Sequence, residues 1–265
     1  MTDRPVALTI AGSDSGGGAG IQADLKTFHA FGVFGTSAIT AITAQNTVAV
    51  TAIQKIDPGI VSQQIRAVVE DLKPAAAKTG MLADASIIEA VADTLAAAAL
   101  EHLVIDPVMV AKSGHRLLEA DAVSALQSAL LPLAEVVTPN LPEAALLAGR
   151  EVESVDDMKA AAEAIVAAGA RSVLLKGGHL SGTTLIDVYY DGESWREWSG
   201  PRLETRHTHG TGCTLSAAIC AGLALGRSRL EAVEAARRFT RRAIEAAPGL
   251  GAGHGPLNHW VSPED

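Results

Sequence analysis

The chain has few aromatic residues and no long uninterrupted apolar run, and each shortage excludes a class of protein. Aromatics make up 3% of the 265 residues, although hydrophobic residues make up 48%. The core must therefore be filled by Ala, Val, Leu and Ile, the usual filling of helices packed on a parallel sheet. No segment offers the ~20 apolar residues that a membrane span needs, and the N-terminus has no secretory apolar region. We expect a cytoplasmic protein without membrane contact.

Cysteine and positive charge are also scarce. Cys213 and Cys220 are the two cysteines, and in one predicted helix they lie ~10 Å apart along its axis. That separation excludes a disulfide between them and fits a reducing compartment. The formal net charge of −9 argues against binding to nucleic acid or to an anionic membrane. A phosphate-binding site in this chain must be positive only locally.

Two common nucleotide-binding motifs are absent or incomplete. The chain has no Gly-Lys dipeptide, which excludes a Walker A loop. Residues 18–23 fit the loose dinucleotide pattern, but that pattern needs an acidic residue ~20 positions further on. No Asp or Glu occurs between Asp24 and Asp57. A nicotinamide oxidoreductase is therefore disfavoured, and ATP would have to be bound by other parts.

Short β-rich segments alternate with longer amphipathic or Ala-rich segments. This alternation predicts βαβ units around a mostly parallel sheet, with Asp191-Gly192 turning a separate hairpin. No repeat or linker divides the chain, so residues 1–265 are predicted to form one domain. The predicted strands are 6–10, 36–44, 75–79, 103–106, 135–138, 172–175 and the hairpin 184–190 with 195–198. The predicted helices are 21–31, 59–72, 85–99, 122–130, 158–168, 214–225 and 230–247.

Two glycine-rich loops follow predicted strands and enter helices. The first is AGSDSGGGAG at residues 11–20, where consecutive glycines would expose backbone N–H groups to a ligand. The second is THGTGCT at residues 208–214. Its N–H groups from Gly210 to Cys213 would converge before a helix N-terminus and form an anion hole, suited to a transferring phosphoryl group. The structural alternatives are a tight turn and a glycine-rich helix cap.

Chemically capable side chains cluster at the predicted carboxyl ends of strands, where parallel sheets bind ligands. Asp106 and Glu143 could hold Mg²⁺ through waters, although Glu143 could equally be a charge at a helix start. The Lys176 ammonium could reach a phosphate, or simply be solvated. Gln45 offers a donor and an acceptor to a heterocycle edge.

Methionine, cysteine and histidine residues are further candidates at the same predicted edge. Met81 could pack on a flat ring, or be core filler. A helix N-terminus should lower the thiol pKa of Cys213, although the residue could also be a small buried hydrophobe. His207 and His209 have no third ligand nearby, so a zinc site is rejected.

Taken together, these segments resemble the ribokinase superfamily, and within it the bacterial hydroxymethylpyrimidine (phosphate) kinases. The matching motifs run nearly end to end: LTIAGSD at 8–14, GGAGIQADLK at 17–26, AQNT at 44–47, KTGML at 78–82, DPVM at 106–109, TPNLPE at 138–143, KGGH at 176–179, HGTGCT at 209–214 and GHGPLNH at 253–259. Most ribokinase-like sugar kinases have an Asp base after the last glycine loop, whereas this sequence has Cys213 there, as the pyrimidine kinases do.

The resemblance implies a three-layer α/β/α fold, a homodimer and two ATP-dependent phosphorylations of 4-amino-5-hydroxymethyl-2-methylpyrimidine in thiamine biosynthesis. It further implies a role for each matching residue. The pyrimidine pocket would be lined by Gly12, Gln45, Met81 and Val108, with Asp24 also among the substrate residues; Asp106 and Glu143 would organise Mg²⁺; Asn140, Lys176 and Thr211 would lie towards ATP; and Gly210, Thr211, Gly212, Cys213 and Lys176 would serve catalysis.

Two rival functions stay open on the sequence. A pyridoxal or pyridoxine kinase of the same superfamily would also take a flat hydroxymethylated heterocycle, and a pocket of Gly, Gln, Met and Val does not exclude it. A nucleotide-sensing module without catalysis is the other. The sequence also leaves open whether Cys213 is a base or part of the pocket wall.

Overall fold

A mostly parallel, eight-stranded sheet forms the centre of the computed structural model, which describes residues 4–109, 120–180 and 182–264. The strand order is β10-β9-β8-β7-β6-β5-β1-β2, and a separate two-stranded antiparallel sheet pairs β3 with β4. The strands are β1 Val6–Ala11, β2 Phe34–Ile39, β3 Ala41–Gln45, β4 Val50–Lys55, β5 Ala76–Thr79, β6 Leu103–Ile105, β7 Val136–Val137, β8 Val173–Leu175, β9 Thr184–Tyr190 and β10 Trp195–Pro201.

Helices cover both faces of this sheet. They are α1 Gly20–Ala30, α2 Pro58–Leu72, α3 Ala85–Ala98, α4 Ala120–Ala125, α5 Leu141–Ala148, α6 Val155–Ala167, α7 Thr211–Ala224 and α8 Arg229–Glu245. A π-helical turn, Leu126–Leu130, and a 3-10 turn, Leu131–Leu133, follow α4, and another 3-10 turn spans Gly177–His179. Within the described ranges, no helix is long and apolar enough to cross a membrane.

Side chains alternate between two apolar clusters, one on each face of the sheet. In β6, Leu103 and Ile105 belong to the cluster that contains α3 and α6, whereas Val104 belongs to the cluster of α7 and α8. Successive side chains of a strand point to opposite faces, so an unbroken apolar strand requires helices on both sides. The predicted three-layer α/β/α architecture is confirmed.

The predicted hairpin is confirmed, but it is not a separate patch. Strand β9 pairs antiparallel with β8, so the hairpin extends one edge of the main sheet. Its second strand continues to Pro201, and stacking of Tyr190 on Trp195 stabilises the turn end.

The prediction of a single strand over residues 36–44 is wrong. The chain breaks at Thr40, whose N–H donates to the Ala11 carbonyl and whose hydroxyl donates to the Met81 carbonyl. Residues before the break join the main sheet, and those after it pair with β4, which the sequence prediction missed. The turn between β3 and β4 has no glycine or proline. Instead, the Asn46 side chain accepts hydrogen bonds from the N–H groups of Val48 and Ala49.

Helix starts fall into two groups that matter for the site. Side chains cap α2, α3, α5, α6 and α8 through Asp57, Asp84, Asn140, Ser154 and Ser228. The helices α1 and α7 begin at the two glycine loops and have no side-chain cap. An uncapped N-terminus leaves N–H groups and the positive end of the helix dipole available to an anion.

Candidate active site

The first glycine loop is folded around the carboxylate of Asp14. Its Oδ1 atom accepts from the Gly16 N–H at 2.8 Å, and Oδ2 accepts from the N–H groups of Gly18 and Ala19 at 3.0 and 2.8 Å. Burial alone would raise the pKa of Asp14, but the His209 ring and these N–H groups lower it overall. The expectation that this loop offers these N–H groups to a ligand is therefore wrong, because Asp14 already binds them.

The second glycine loop packs directly on the first. Gly210 has a φ of +84°, a conformation that favours glycine, and a Cβ there would overlap the carbonyl of Gly18. His209 pairs with Pro256 in a short bridge, so the C-terminal tail supports the same loop. Only glycine at position 210 allows the two loops to approach so closely.

The N-terminus of α7 has the geometry of the predicted anion hole. Thr211 is anchored by its hydroxyl, which donates to the Thr208 carbonyl at 2.8 Å. Among the described residues, the N–H groups of Gly212 and Cys213 have no acceptor. A Cβ on Gly212 would lie 3.3 Å from Asp106 Oδ2 and 3.4 Å from Lys176 Nζ. Free donors, a carboxylate and an ammonium thus meet at one helix end.

Asp106 and Lys176 form an ion pair at the ends of β6 and β8, the strands on either side of β7. Lys176 Nζ lies 3.2 Å from Asp106 Oδ1, which also accepts from the Thr138 hydroxyl at 3.3 Å. Burial would lower the pKa of Lys176, but the charges of Asp106 and Glu143 raise it overall. The ammonium stays protonated and can bind a phosphate.

Glu143 has the capping role that the sequence allowed, and its role towards Mg²⁺ stays a prediction. It forms a capping box with Asn140 at the start of α5, accepting from the Asn140 N–H at 2.8 Å. It is also 5% exposed, and burial raises its pKa to about 7, with Asp106 adding to the rise and Lys176 opposing it. A divalent cation beside Glu143 would favour its ionised form.

The donor set suits a hydrated cation better than an all-protein cage. Asp106 and Glu143 are two hard carboxylates, and Mg²⁺ is usually bound by one or two carboxylates, waters and phosphate oxygens. Among residues 4–109, 120–180 and 182–264, no cluster of three or more acidic, His or Cys side chains could hold a metal by itself. The residues present therefore fit Mg²⁺ that arrives with a nucleotide.

The Cys213 thiol lies in a region that holds a buried ion pair. Lys78 Nζ lies 2.9 Å from Asp24 Oδ1, both side chains are fully buried, and the Thr9 hydroxyl donates to Asp24 at 2.6 Å. Burial raises the pKa of Cys213 to about 12; the charges of Asp24 and Asp106 raise it too, while Lys78 opposes them. The predicted lowering of the thiol pKa is wrong because desolvation outweighs the helix N-terminus.

The same ion pair corrects the role predicted for Asp24. Its carboxylate is fully buried and both oxygens accept hydrogen bonds from Lys78, with Thr9 donating as well. Asp24 therefore supports the site from the interior and does not line the pocket. The negative charge of Asp24 also raises the pKa of Lys78, although burial opposes it.

The predicted heterocycle residues are only partly brought together. The Gly12 N–H donates to the Met81 carbonyl at 3.2 Å, and a Cβ on Gly12 would lie 2.5 Å from Met81 Cε. Gln45 is bound to the first loop through Ser15, whose hydroxyl donates to the backbone carbonyl of Gln45 at 2.6 Å. The N–H of Val108 donates to the Asp106 backbone carbonyl at 2.8 Å. Val108 therefore lies beside Asp106 and not with Gly12 and Met81.

Asp14 and His209 are the site residues that sequence reasoning missed. His209 Nε2 lies 2.8 Å from Asp14 Oδ2 and 3.3 Å from Gln45 Nε2. The two partners of this hydrogen bond are 195 positions apart in the chain, so sequence spacing could not reveal it. One local signal was present: an Asp followed by glycines often accepts hydrogen bonds from the next N–H groups.

Comparisons with known proteins agree with this geometry. The sequence matches the family described as "Phosphomethylpyrimidine kinase" over residues 14–258. It is 55% identical over 258 residues to a hydroxymethylpyrimidine/phosphomethylpyrimidine kinase of Rhizobium meliloti (strain 1021), covering 96% of this chain and 97% of the relative. It is 49% identical over 256 residues to the protein of the same name from Bacillus subtilis (strain 168), covering 96% and 94%.

Solved structures lead to the same group of enzymes. A Bacillus subtilis pyridoxal kinase in complex with ADP superposes with a TM-score of 0.92 and 42% identity, covering 99% of this chain and all of that one. A phosphomethylpyrimidine kinase from Clostridium difficile 630 gives a TM-score of 0.82 and 44% identity, covering 91% of this chain and all of that one. The chain belongs to the phosphomethylpyrimidine kinase family of the ribokinase-like α/β/α enzymes.

Proposed function

We propose that the chain is an ATP-dependent kinase of thiamine biosynthesis that phosphorylates 4-amino-5-hydroxymethyl-2-methylpyrimidine to its monophosphate and then to its diphosphate. The observation that supports the proposal is the uncapped start of α7, where Gly212 lies against Asp106 and Lys176 and the N–H groups of Gly212 and Cys213 have no acceptor among the described residues. Phosphoryl transfer needs mainly positioning and charge stabilisation, and this arrangement offers both.

The nucleotide would be bound from the Lys176 side of this site. Asn140 and Lys176 are joined by a short parallel bridge at the ends of adjacent strands, and Thr211 lies at the first position of α7. We assign these three residues to ATP. Asp106 and Glu143 would hold Mg²⁺ through water, and the cation would neutralise charge on the phosphate oxygens. The anion hole of Gly210, Thr211 and Gly212 would bind the transferring group.

The two transfers place different demands on the protein. The first nucleophile is a neutral alcohol, whose proton must leave as the bond to phosphorus forms. The second is a phosphate oxygen that is largely anionic at pH 7, because its second pKa is about 6. A Cys213 thiol with a pKa of about 12 is protonated at neutral pH. We infer that it contacts the substrate as a neutral wall.

The same proposal includes a homodimer of single-domain subunits in the cytoplasm. The β3–β4 sheet exposes Ile42, Val48 and Ile53, and the start of α2 exposes Ile60. Ile42 and Ile53 lie on opposite faces of this two-stranded sheet, and exposed apolar side chains concentrated in one small element are typical of an interface. Light scattering should give twice the mass of 27.2 kDa, and Ile42→Lys with Ile53→Lys should halve it; a monomeric parent chain would contradict this part.

A vitamin B6 kinase is the second candidate, because solved pyridoxal kinases from Bacillus subtilis and Staphylococcus aureus are 36–42% identical to this chain. The deciding assay compares kcat/KM under identical conditions for hydroxymethylpyrimidine, its monophosphate, pyridoxal and ribose. We expect the two pyrimidines to be the preferred substrates and ribose to be inert. A higher kcat/KM for pyridoxal, or ATP turnover that no acceptor stimulates, would contradict the proposal.

A further inference from the structure

One imidazole nitrogen lies between a carboxylate and an amide. His209 Nε2 is 2.8 Å from Asp14 Oδ2 and 3.3 Å from the near end of the Gln45 side-chain amide. Both contacts use the same ring atom, which can either donate or accept, but cannot do both. The protonation of this nitrogen therefore decides how the Gln45 amide is oriented.

Asp14 determines where the proton lies. Its carboxylate already accepts from three backbone N–H groups and is 1% exposed, an environment that stabilises the anion. An anion 2.8 Å away requires a donor, so His209 Nε2 carries hydrogen. An amide N–H of Gln45 cannot donate to that atom. With its oxygen facing His209, Gln45 shares the single Nε2 hydrogen with Asp14 in a bifurcated bond, whereas an amide N–H would meet that hydrogen donor to donor.

Thr43 leads independently to the same orientation. Its hydroxyl lies 2.9 Å from the Ser13 carbonyl and 3.4 Å from the other end of the Gln45 side-chain amide. The single hydroxyl hydrogen is used on Ser13, so Thr43 Oγ1 presents lone pairs to Gln45. Lone pairs are matched by the amide NH₂ group and not by its oxygen. Both partners therefore favour the amide oxygen towards His209 and the amide nitrogen towards Thr43.

We propose that His209 and Thr43 are specificity-determining positioning residues that fix the Gln45 amide with its oxygen towards His209 and its nitrogen towards Thr43. In this orientation one oxygen lone pair and one N–H remain for a ligand. A ligand edge must then present a donor on the His209 side and an acceptor on the Thr43 side.

This pattern distinguishes the two candidate heterocycles; it rests on the proposed function and on Gln45 contacting the substrate heterocycle, as the family resemblance implies. Beside its hydroxymethyl group, the aminopyrimidine presents an amino donor and then a ring nitrogen acceptor. Pyridoxal presents a formyl oxygen and then a phenolic oxygen at the corresponding positions. A fixed Gln45 oxygen would face the formyl oxygen, so the network selects the aminopyrimidine. An amide that rotated freely would accept either edge.

The kinetic test uses His209→Phe, which keeps a ring and removes the donor, and His209→Gln, which places an amide N–H at a similar reach. For His209→Phe we expect KM for the aminopyrimidine to rise about tenfold, the worth of a lost hydrogen bond, with KM for ATP unchanged. The preference for aminopyrimidine over pyridoxal in kcat/KM should fall by a similar factor. His209→Gln should restore most of it, and Thr43→Val should lower the preference in the same direction.

The matched control is His207→Phe in the same loop, which should leave the preference unchanged. Equal losses for aminopyrimidine and pyridoxal in His209→Phe, or no rescue by His209→Gln, would overturn the proposal. Nitrogen NMR of the imidazole tests it without turnover: the His209 ring should be protonated at Nε2, and a bare Nε2 would overturn the assignment. A parent enzyme that prefers pyridoxal would refute the proposed function, while the NMR result would still decide the amide orientation.

Discussion

At the scale of single residues, the protonation of the site side chains depends more on burial than on residue type. Cys213 stands at a helix N-terminus, where a thiol should be acidic, yet burial raises its pKa to about 12. The sequence shows the helix start but not the surroundings of the thiol. For the same reason, Asp14 and His209 could not be paired before the fold was known.

The protonated thiol predicts the behaviour of Cys213→Ala. A neutral thiol cannot accept the proton of the hydroxymethyl group, so the substitution should slow the first and the second phosphoryl transfer by similar factors. Single-turnover rates at saturating substrate measure both. A general base contributes ~10²–10⁴-fold, so a loss of that size confined to the first transfer would identify Cys213 as the base.

Glu143 predicts how stability varies with pH in the absence of Mg²⁺. Its pKa rises from 4.5 to about 7 on folding, so the folded state binds the proton more tightly than the unfolded state. Its contribution to stability is present below pH 4.5 and is lost as pH rises through 7, by up to about 3 kcal/mol. Urea unfolding at pH 5 and pH 8 should show this loss, which Glu143→Gln should reduce.

The Mg²⁺ concentration that activity requires is a second test of the Glu143 carboxyl. A cation at Asp106 and Glu143 would favour the ionised carboxylate, so the parent enzyme should need less Mg²⁺ for activity at pH 8 than at pH 6. Glu143→Gln should need more Mg²⁺ at both pH values and lose most of the difference between them. An unchanged Mg²⁺ requirement in Glu143→Gln would restrict the residue to its capping role.

At the scale of elements, the sequence predicted both glycine loops but not which of them keeps its N–H groups available to a ligand. The second loop was predicted as an anion hole, and the free N–H groups of Gly212 and Cys213 support that role. The first loop has more glycines, but Asp14 binds its N–H groups. A sequence gives the conformational freedom of glycine, but it does not give the acceptor that uses the resulting donors.

The α7 N-terminus predicts the effect of Gly212→Ala. The added methyl group would lie 3.3 Å from Asp106 Oδ2 and 3.4 Å from Lys176 Nζ, within the space proposed for the transferring phosphoryl group. Removing one oxyanion-hole donor costs ~10²–10³-fold in kcat, and we expect a loss of that order in both transfers. Gly200→Ala, in β10 where an added Cβ would meet only Arg241 Nη1 at 3.5 Å, is a control for expression and folding. Loss of only one transfer would contradict a shared anion hole.

At the scale of the whole molecule, sheet topology explains why distant segments meet. Strands β1, β5, β6, β7 and β8 are neighbours and parallel, so their carboxyl ends share one edge. The alternation of apolar segments predicted this sheet and therefore the side on which Asp106, Asn140 and Lys176 lie. It did not predict β3–β4, because an exposed sheet of this kind lacks a buried apolar pattern.

The central claim is that this edge transfers phosphate from ATP to a hydroxymethylated aminopyrimidine twice. The most direct measurement is phosphorus NMR of the enzyme with ATP, Mg²⁺ and hydroxymethylpyrimidine, followed through many turnovers. We expect a pyrimidine monophosphate to appear first and then to decline as the diphosphate accumulates, with two ADP formed for each diphosphate. Release of inorganic phosphate alone would contradict this activity. So would an unphosphorylated pyrimidine when a parallel sample with pyridoxal in its place is phosphorylated.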